Sequence, residues 1–259
     1  MNAHELYVLE EKKRRWQIHL AQFGLFILFV GVWEGAVRAG WINDFIFSSP
    51  SRIAKTIYQM TLDGSLFLHI KITMIETFVS FGIVTLIGIA SAVLLWTCTS
   101  AAQILEPYLV MLNSLPKSAL APVLIVWLGN DIKTIIVAAV SVAIFGSILT
   151  LYTSFKEMDP DLVKLIYILG GNKYSVMKYV LLPGSVPMII SNMKVNIGLC
   201  LVGVIIGEFL AAKEGLGYLI IYGSQVFQLD LVIMSILILC VIAIGLYQII
   251  NQIEKHYGR

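Results

Sequence analysis

Few side chains in this sequence could do chemistry, and their spacing excludes most classes of enzyme. The chain has four histidines and three cysteines in 259 residues. No two cysteines form a C-x-x-C pair, so neither a zinc site nor a disulfide framework is supported. The G-x-x-x-x-G-K-[ST] loop that holds nucleotide phosphates is absent, as is the H-E-x-x-H motif of zinc hydrolases. We therefore predict a protein that is not an enzyme, has no cofactor or metal and cannot hydrolyse ATP by itself.

Charged and helix-breaking residues inside apolar segments are the remaining candidates for function. Glu208 is one because a carboxylate at membrane depth is functional by default, although a side chain that extends to the membrane surface or an interhelical salt bridge is the alternative. Lys117 could attract an anionic solute or extend its ammonium group to the membrane surface. Two prolines could unwind their helix and free carbonyl groups toward a solute pathway, or only kink it. The predicted pathway residues are Asn113, Pro116, Lys117, Pro122 and Glu208.

Three other charged residues in apolar segments are interpreted as structural. Glu34 and Glu76 lie toward the outer ends of their segments, where a salt bridge or an extended side chain would explain each one. Lys194 lies near the inner end of its segment and is expected to anchor it there.

The composition indicates an integral membrane protein. The chain is 58% hydrophobic and 13% charged, with a mean hydropathy of +0.86, whereas a soluble domain of this length needs far more charge. A net charge of +2 is too balanced to indicate a nucleic-acid partner. The partner of most of the surface is therefore expected to be the lipid bilayer.

Six segments are long and apolar enough to cross a membrane. We expect a basic cytoplasmic segment over residues 1–15, a retained first span rather than a cleaved signal, and one transmembrane domain over 16–259. Ten basic residues fall in the inner loops and six in the outer loops, which predicts that both termini are cytoplasmic. The predicted spans are 16–37, 73–98, 105–128, 134–155, 187–212 and 231–253.

The first outer loop contains a short predicted helix. Ser49 can cap it, Pro50 suits its first position, and Asp63-Gly64 ends it. Its apolar residues recur at helical spacing, which is typical of an amphipathic helix on the outer membrane surface. A plain connector with a turn is the alternative.

A polar hairpin over residues 159–183 lies between the fourth and fifth spans. Asp159-Pro160-Asp161 is a strong helix start, and Gly170-Gly171 stop that helix. Asn172 can cap a second helix through Leu182, after which Pro183 should break the chain. The apolar residues of the first helix would be exposed, so either the bundle or a partner must cover them. They are Val163, Leu165, Ile166 and Ile168.

The hairpin resembles the cytoplasmic signature of permease subunits of bacterial ATP-binding-cassette (ABC) importers, which reads EAA, three residues, G, nine residues, I-x-LP. Gly170 takes the glycine position, Val180 the apolar position, and Leu182-Pro183 complete the motif. The sequence departs from the signature at EAA, where it has Lys164, Leu165 and Ile166. The resemblance assigns contacts with an ATPase to this hairpin, at Asp161, Lys164, Leu165, Gly170, Gly171 and Pro183.

Three further segments resemble the sulfonate, nitrate and taurine branch of these type I importers. They are SSPSRI at 48–53, LNSLPKSALAPVLIVWLGN at 112–130 and GEFLAAKEGLGYLI at 207–220. The resemblance implies an all-α six-helix bundle in a bacterial inner membrane. It also implies two cytoplasmic ATPase subunits, an extracytoplasmic solute-binding protein and a second permease copy, expected as a homodimer.

The function that this resemblance implies is ATP-driven import by alternating access. The solute would be small, and anionic or heterocyclic. A secondary transporter or channel that is not driven by ATP is the alternative, and it would not need the hairpin. A membrane enzyme or a purely structural scaffold is a further alternative.

Overall fold

Helices form every regular element of the computed structural model, which describes residues 3–257. A short π-helical stretch, Met177–Leu181, lies between α9 and α10. The helices are α1 Ala3–Arg38, α2 Asp44–Phe47, α3 Pro50–Leu62, α4 Ser65–Thr97, α5 Thr99–Ser114, α6 Lys117–Leu128, α7 Ile132–Lys156, α8 Pro160–Ile168, α9 Lys173–Val176, α10 Leu182–Gly184, α11 Val186–Ala211, α12 Leu216–Gln225 and α13 Leu229–Tyr257.

Five of these helices are long and apolar enough to cross a membrane: α1, α4, α7, α11 and α13. They correspond to the first, second, fourth, fifth and sixth predicted spans. The second helix is longer than predicted, because α4 begins at Ser65 rather than near residue 73. Helix α1 includes nearly all of the predicted N-terminal segment; Met1 and Asn2 lie outside the described residues.

The predicted third span, 105–128, is not one helix. It is divided between α5 and α6, with Leu115 extended (φ −65°, ψ 141°) just before Pro116. A proline forces the preceding residue out of the helical region, which accounts for the break. Pro122 causes no such break, because α6 runs through it to Leu128. Pro116 therefore interrupts this span as predicted, and Pro122 does not.

Small residues let the central helices α4, α7 and α11 approach closely. A Cβ atom on Gly203 of α11 would lie 2.6 Å from the Cα atom of Ala139 on α7. One on Gly207 would lie 2.9 Å from the Cα atom of Ile135. Backbone contacts this close need glycine, and they allow the van der Waals packing that holds helices together in lipid.

Side-chain contacts define one end of the bundle, called here the hairpin end. Lys173 of α9 donates to the carbonyl of Thr97, at the C-terminus of α4, over 2.5 Å. Lys194, near the start of α11, forms a salt bridge with Glu254, near the end of α13. The last turn of α13 therefore lies at the same end as the hairpin.

Contacts at the opposite end, called the far end, join the other termini of these helices. Arg52 of α3 pairs with Asp230, in the first turn of α13, over 2.9 Å. Glu34, near the end of α1, accepts a hydrogen bond from the backbone of Ser51 over 3.1 Å. Because α1 ends at the far end, its start lies at the hairpin end, together with the last turn of α13.

Helix α3 forms as predicted, but its apolar face does not need a membrane surface. Ser49 caps it by accepting from the backbone of Arg52, and Asp63 follows its last residue. Ile53 is 3% exposed and packs, with Ile57 and Met60, in a cluster with residues of α4, α11, α12 and α13. The bundle therefore covers the face that was assigned to the membrane surface.

Candidate functional site: the hairpin and the divided span

The first helix of the hairpin, α8, begins at the predicted residues. The Asp159 side chain accepts from the backbone N–H of Asp161 over 2.9 Å, and Pro160 takes the first helical position. Asp161 itself is exposed and pairs with Lys164 over 3.3 Å. Both side chains remain in solvent, where such a pair stabilises a helix only slightly. They are available to a partner.

The glycine corner after α8 is a fully formed Schellman motif. Gly170 lies in the left-handed region at φ +80°. Its N–H bonds to the carbonyl of Tyr167 over 3.0 Å, and the N–H of Gly171 bonds to the carbonyl of Ile166 over 2.9 Å. These two bonds satisfy carbonyl groups that a helix end leaves free. The corner therefore has one well-defined geometry.

Asn172 begins the second helix through a capping box. Its side chain accepts from the backbone of Ser175 over 2.9 Å, and the Ser175 hydroxyl accepts from the backbone of Asn172 over 3.4 Å. Only four residues, 169–172, separate the two helices of the hairpin. Their relative direction is thus fixed by the Schellman motif and the cap together.

The predicted break at Pro183 is wrong. Helical backbone continues from α9 through the π-helical stretch and α10, and a single turn residue, Ser185, precedes α11. A proline inside a helix lacks an N–H and crowds the carbonyl four residues earlier. The wider π turn before Pro183, in which the N–H of Leu182 bonds to the carbonyl of Met177, accommodates that crowding.

The second half of α8 and its C-cap residue, Leu169, expose several large apolar side chains. Ile168 is 81% exposed and Leu169 is 73% exposed. Leu165 and Tyr167 are each 49% exposed. In contrast, the predicted apolar residues Val163 and Ile166 are partly covered. Apolar residues clustered on a polar, exposed hairpin mark a surface for a partner.

The second half of the hairpin is anchored in the bundle. Val176 and Leu181 are fully buried, and Leu181 belongs to a core cluster that contains Phe155 of α7. The ammonium of Lys173 also lies 5.6 Å from the ring centre of Trp96 on α4. The second half of the hairpin is therefore in contact with both α4 and α7.

Four of the five predicted pathway residues lie together at the divided span. Asn113 is in the last turn of α5, and the side chain of Lys117 bonds back to its carbonyl group. Pro116 is one of the two residues between the helices, and the exposed Pro122 lies one turn and a half into α6. The Asn113 side-chain oxygen approaches Gly146 of α7, where a Cβ atom would lie 3.3 Å away.

Glu208 lies apart from that group, fully buried at the far end. Its carboxyl oxygens accept from the Thr73 hydroxyl over 2.6 Å and from the backbone N–H of Gly217 over 2.5 Å. The Thr73 hydroxyl in turn accepts from the backbone of Leu216 over 2.9 Å. Glu208 thus caps the N-terminus of α12, an element that the sequence did not predict.

This cap explains the glycines of the GEFLAAKEGLGYLI segment. A Cβ atom on Gly215 would lie 2.3 Å from an oxygen of Glu208, and one on Gly217 would lie 2.6 Å from the other. Gly215 also has φ +120°, which side chains rarely allow. The spacing of Glu208, Gly215 and Gly217 therefore leaves room for a carboxylate at the start of α12.

Of the three charged residues interpreted as structural, two form salt bridges among the described residues and one does not. Glu34 pairs with Arg38 over 2.8 Å, as a structural salt bridge requires. Lys194 is held by Glu254 and by the side chain of Asn251, so it anchors α11 to α13. The interpretation of Glu76 is wrong, because this residue is 2% exposed and neither extends to the surface nor forms a salt bridge among the described residues.

A buried polar cluster joins α7 to α11 and was missed from the sequence. The hydroxyl of Ser147 accepts from the side-chain amides of Asn192, over 2.9 Å, and Asn196, over 2.8 Å. The two asparagines are one helical turn apart, which could have indicated a shared partner. Among the residues described, no group of His, Cys, Asp and Glu is placed to hold a metal ion.

The chain is a membrane protein: an apolar helical bundle with five helices long enough to span a bilayer and an exposed hairpin at one end. The chain belongs to the family of binding-protein-dependent transport system inner membrane components, whose model matches residues 84–257. It is the permease subunit of an ABC importer, an inner-membrane transport protein and not an enzyme. Proteins of this family work in general with ATPase and binding-protein partners.

The comparisons with individual proteins agree with this family. A protein of Haemophilus influenzae, named as a probable ABC transporter permease protein, is 28% identical over 225 residues, which are 85% of this chain and 91% of that one. The Escherichia coli permease SsuC, named for transport of aliphatic sulfonates, is 24% identical over 225 residues, 87% of this chain and 86% of that one.

A solved structure of the MetNI methionine ABC transporter, in inward-facing conformations, has the same fold. Its matched chain superimposes with a TM-score of 0.68 at 18% identity, over 75% of this chain and 96% of that one. The predicted all-α permease fold is therefore confirmed.

Proposed function

We propose that α8 is the docking arm through which ATPase subunits move this permease. The observation that carries the proposal is the set of exposed apolar side chains at the end of α8, next to a corner of fixed geometry. Such side chains are unfavourable in water and are stabilised when a groove in a partner buries them. The acidic and basic side chains of Asp161 and Lys164 border the same helix, where they can set the orientation of the partner.

Two contacts can transmit a movement of α8 to the helices of the bundle. The glycine corner links α8 to α9, and Lys173 links α9 to the C-terminus of α4. Buried Leu181 links the same segment to α7. Closure of two docked ATPase subunits would thus tilt α4 and α7, as alternating access requires. Gly170, Gly171 and Leu165 act at the arm, while Pro183 acts through the wide helical turn that mounts it.

The hairpin end is assigned to the cytoplasm, with both ends of the described chain at that side. Within residues 3–257, nine basic residues of the loops and termini belong to the hairpin end and six to the far end. Arg259, counted in the sequence, lies outside the described residues. Excess positive charge favours the cytoplasmic side. This side is also where ATPase subunits can reach α8.

The solute pathway is proposed to run along the divided span. Backbone that is not helical is tolerated at membrane depth where it lines a cavity or is covered by protein. The break at Pro116, with Asn113, Lys117 and Pro122 around it, supplies such backbone and polar groups. Because few helices of one chain lie beside the divided span, two copies related by a two-fold axis would enclose the pathway. The contacts of Glu208 favour a positioning role for that residue over solute contact.

The solute is proposed to be a small anionic or heterocyclic molecule delivered by a separate binding protein. The E. coli relative named for aliphatic sulfonates supports an anion. The ammonium of Lys117 at the divided span supplies the positive charge that an anion would need.

The test replaces Ile168 by aspartate and measures co-purification of the cognate ATPase subunit from detergent-solubilised membranes. Burial of a new, unpaired charge should abolish the complex while leaving the permease folded. Trp41→Asp is the matched control, because Trp41 is 85% exposed at the far end. Retention of the ATPase by the Ile168→Asp variant would contradict the proposal. A secondary transporter or channel would also keep its solute flux without the hairpin.

A further inference from the structure

The carboxyl groups of Glu76 and Glu208 meet in a buried interface at the far end. Glu76 lies on α4 and is 2% exposed, and Glu208 lies on α11 and is fully buried. Thr73, one turn before Glu76 on α4, donates to Glu208 over 2.6 Å, which places the two buried carboxyl groups next to each other. Two carboxylates have no hydrogen to share, because an ionised carboxyl group can only accept. A hydrogen bond between them therefore requires a proton on one of the two.

The contacts of Glu208 identify it as the ionised member of the pair. One oxygen accepts from the Thr73 hydroxyl and the other from the backbone N–H of Gly217. It also lies at the N-terminus of α12, where the helix dipole favours a negative charge. A proton on Glu208 would weaken each of these interactions.

Glu76 has the opposite environment. Its Oε2 atom is buried and accepts no hydrogen bond from the described residues. No lysine or arginine side chain in the described part of the chain forms an ion pair with it. A buried carboxylate without donors or a counter-ion is strongly unfavourable, whereas a carboxylic acid there can donate to Glu208.

The neighbouring titratable groups do not change this assignment. His69 of α4 accepts the N–H of Gly215 on its Nδ1 atom over 2.9 Å, so that nitrogen carries no proton. A cleft of about 300 Å³ beside Glu76 is lined by Asp131 of α7 and by Lys213 and Glu214, which precede α12. Two acids and one base give this cleft an acidic balance, which favours keeping the proton. The cleft also gives the proton a route from the far end.

We propose that Glu76 is a proton-binding site and that its proton latches α4 to the junction of α11 and α12. With the proton bound, an acid and a carboxylate share one hydrogen, and the start of α12 stays against the bundle. Loss of the proton would place two negative charges next to each other in a buried interface, and they would repel strongly. The junction of α11 and α12 would then separate from α4 at the far end, independently of any ATPase.

The direct test is the infrared spectrum of the purified protein in lipid at neutral pH. The proposal predicts a carbonyl stretching band of a protonated carboxylic acid, resolved from the carboxylate bands. Glu76→Gln should remove this band while the protein stays folded, because the amide can still donate to Glu208. Glu34→Gln is the matched control and should leave the band intact, since Glu34 is paired with Arg38.

A second measurement uses the unmodified chain and so does not depend on any variant folding. As the pH is raised, the acid band should disappear, and backbone amides 215–217 should exchange with deuterium faster than base catalysis alone predicts. In Glu76→Gln these amides should follow base catalysis only. Absence of the acid band at neutral pH, or a band that survives Glu76→Gln, would overturn the proposal.

Discussion

Replacing Gly171 by alanine should uncouple the docking arm more severely than replacing Gly170. A Cβ atom on Gly171 would lie 2.5 Å from the Ile166 side chain and 2.9 Å from the Ile166 carbonyl oxygen. The side chain can rotate away, but the carbonyl belongs to the helix backbone and accepts the N–H of Gly171. Relief of the clash must therefore open the corner and break that hydrogen bond.

The expected magnitudes separate the two variants. At Gly170, where no atom would obstruct a Cβ, alanine meets only the strain of φ +80°. That strain costs about 1–2 kcal/mol, and it should lower the affinity for the ATPase by up to about 30-fold. At Gly171 the lost hydrogen bond and the steric overlap should together cost about 2–4 kcal/mol, enough to abolish a detectable complex.

The assay is titration of the cognate ATPase subunit onto the permease in lipid nanodiscs. Gly40→Ala is the control, because Gly40 has a similar φ of +72°, has open space around it and lies at the far end. It should carry comparable strain and bind the ATPase normally. Wild-type affinity in Gly171→Ala, or an equal loss in Gly40→Ala, would refute a role of corner geometry in docking.

Three further experiments test contacts inside the bundle, each by thermal unfolding in detergent. Gly203→Ala should destabilise the protein by about 1–3 kcal/mol because it pushes α7 and α11 apart. Gly198→Ala has nothing within 4 Å and should be neutral or slightly stabilising; equal effects would contradict the packing. Ser147→Ala removes the acceptor of two buried amides and should cost about 1–3 kcal/mol, whereas an unchanged stability would show that the amides have other partners. Lys194→Met leaves its partner carboxylate without a cation and should cost about 1–3 kcal/mol; rescue by a second substitution, Glu254→Met, is expected, and failure of that rescue would argue against the pair.

Most of the hairpin could be predicted from local chemistry. Asp159, Gly170 and Asn172 each act through bonds to residues at most five positions away, and sequence spacing records such bonds directly. Pro183 was misjudged because its effect depends on the helical turn before it. A π turn has no simple signature in a single sequence.

The far-end site could be predicted only in part. Glu208 was recognised as costly in a membrane, but its partners are Thr73 of α4, which is distant in sequence, and the start of α12, which the sequence did not predict. Glu76 was misinterpreted for the same reason, since a position near a helix end predicts solvent while the packing of α4 against α11 buries it. Long-range burial of this kind depends on which helices pack together, and hydropathy does not specify that.

The arm's contact with an ATPase can be measured most directly by site-specific cross-linking. Cysteine would replace Ile168 in a chain whose native cysteines, Cys98, Cys200 and Cys240, have been substituted. A short bifunctional thiol reagent would then be applied to membranes that contain the complete transporter. The account predicts a cross-link from position 168 to the ATPase subunit and none from a cysteine at position 41. No cross-link from position 168, or one from position 41, would contradict it.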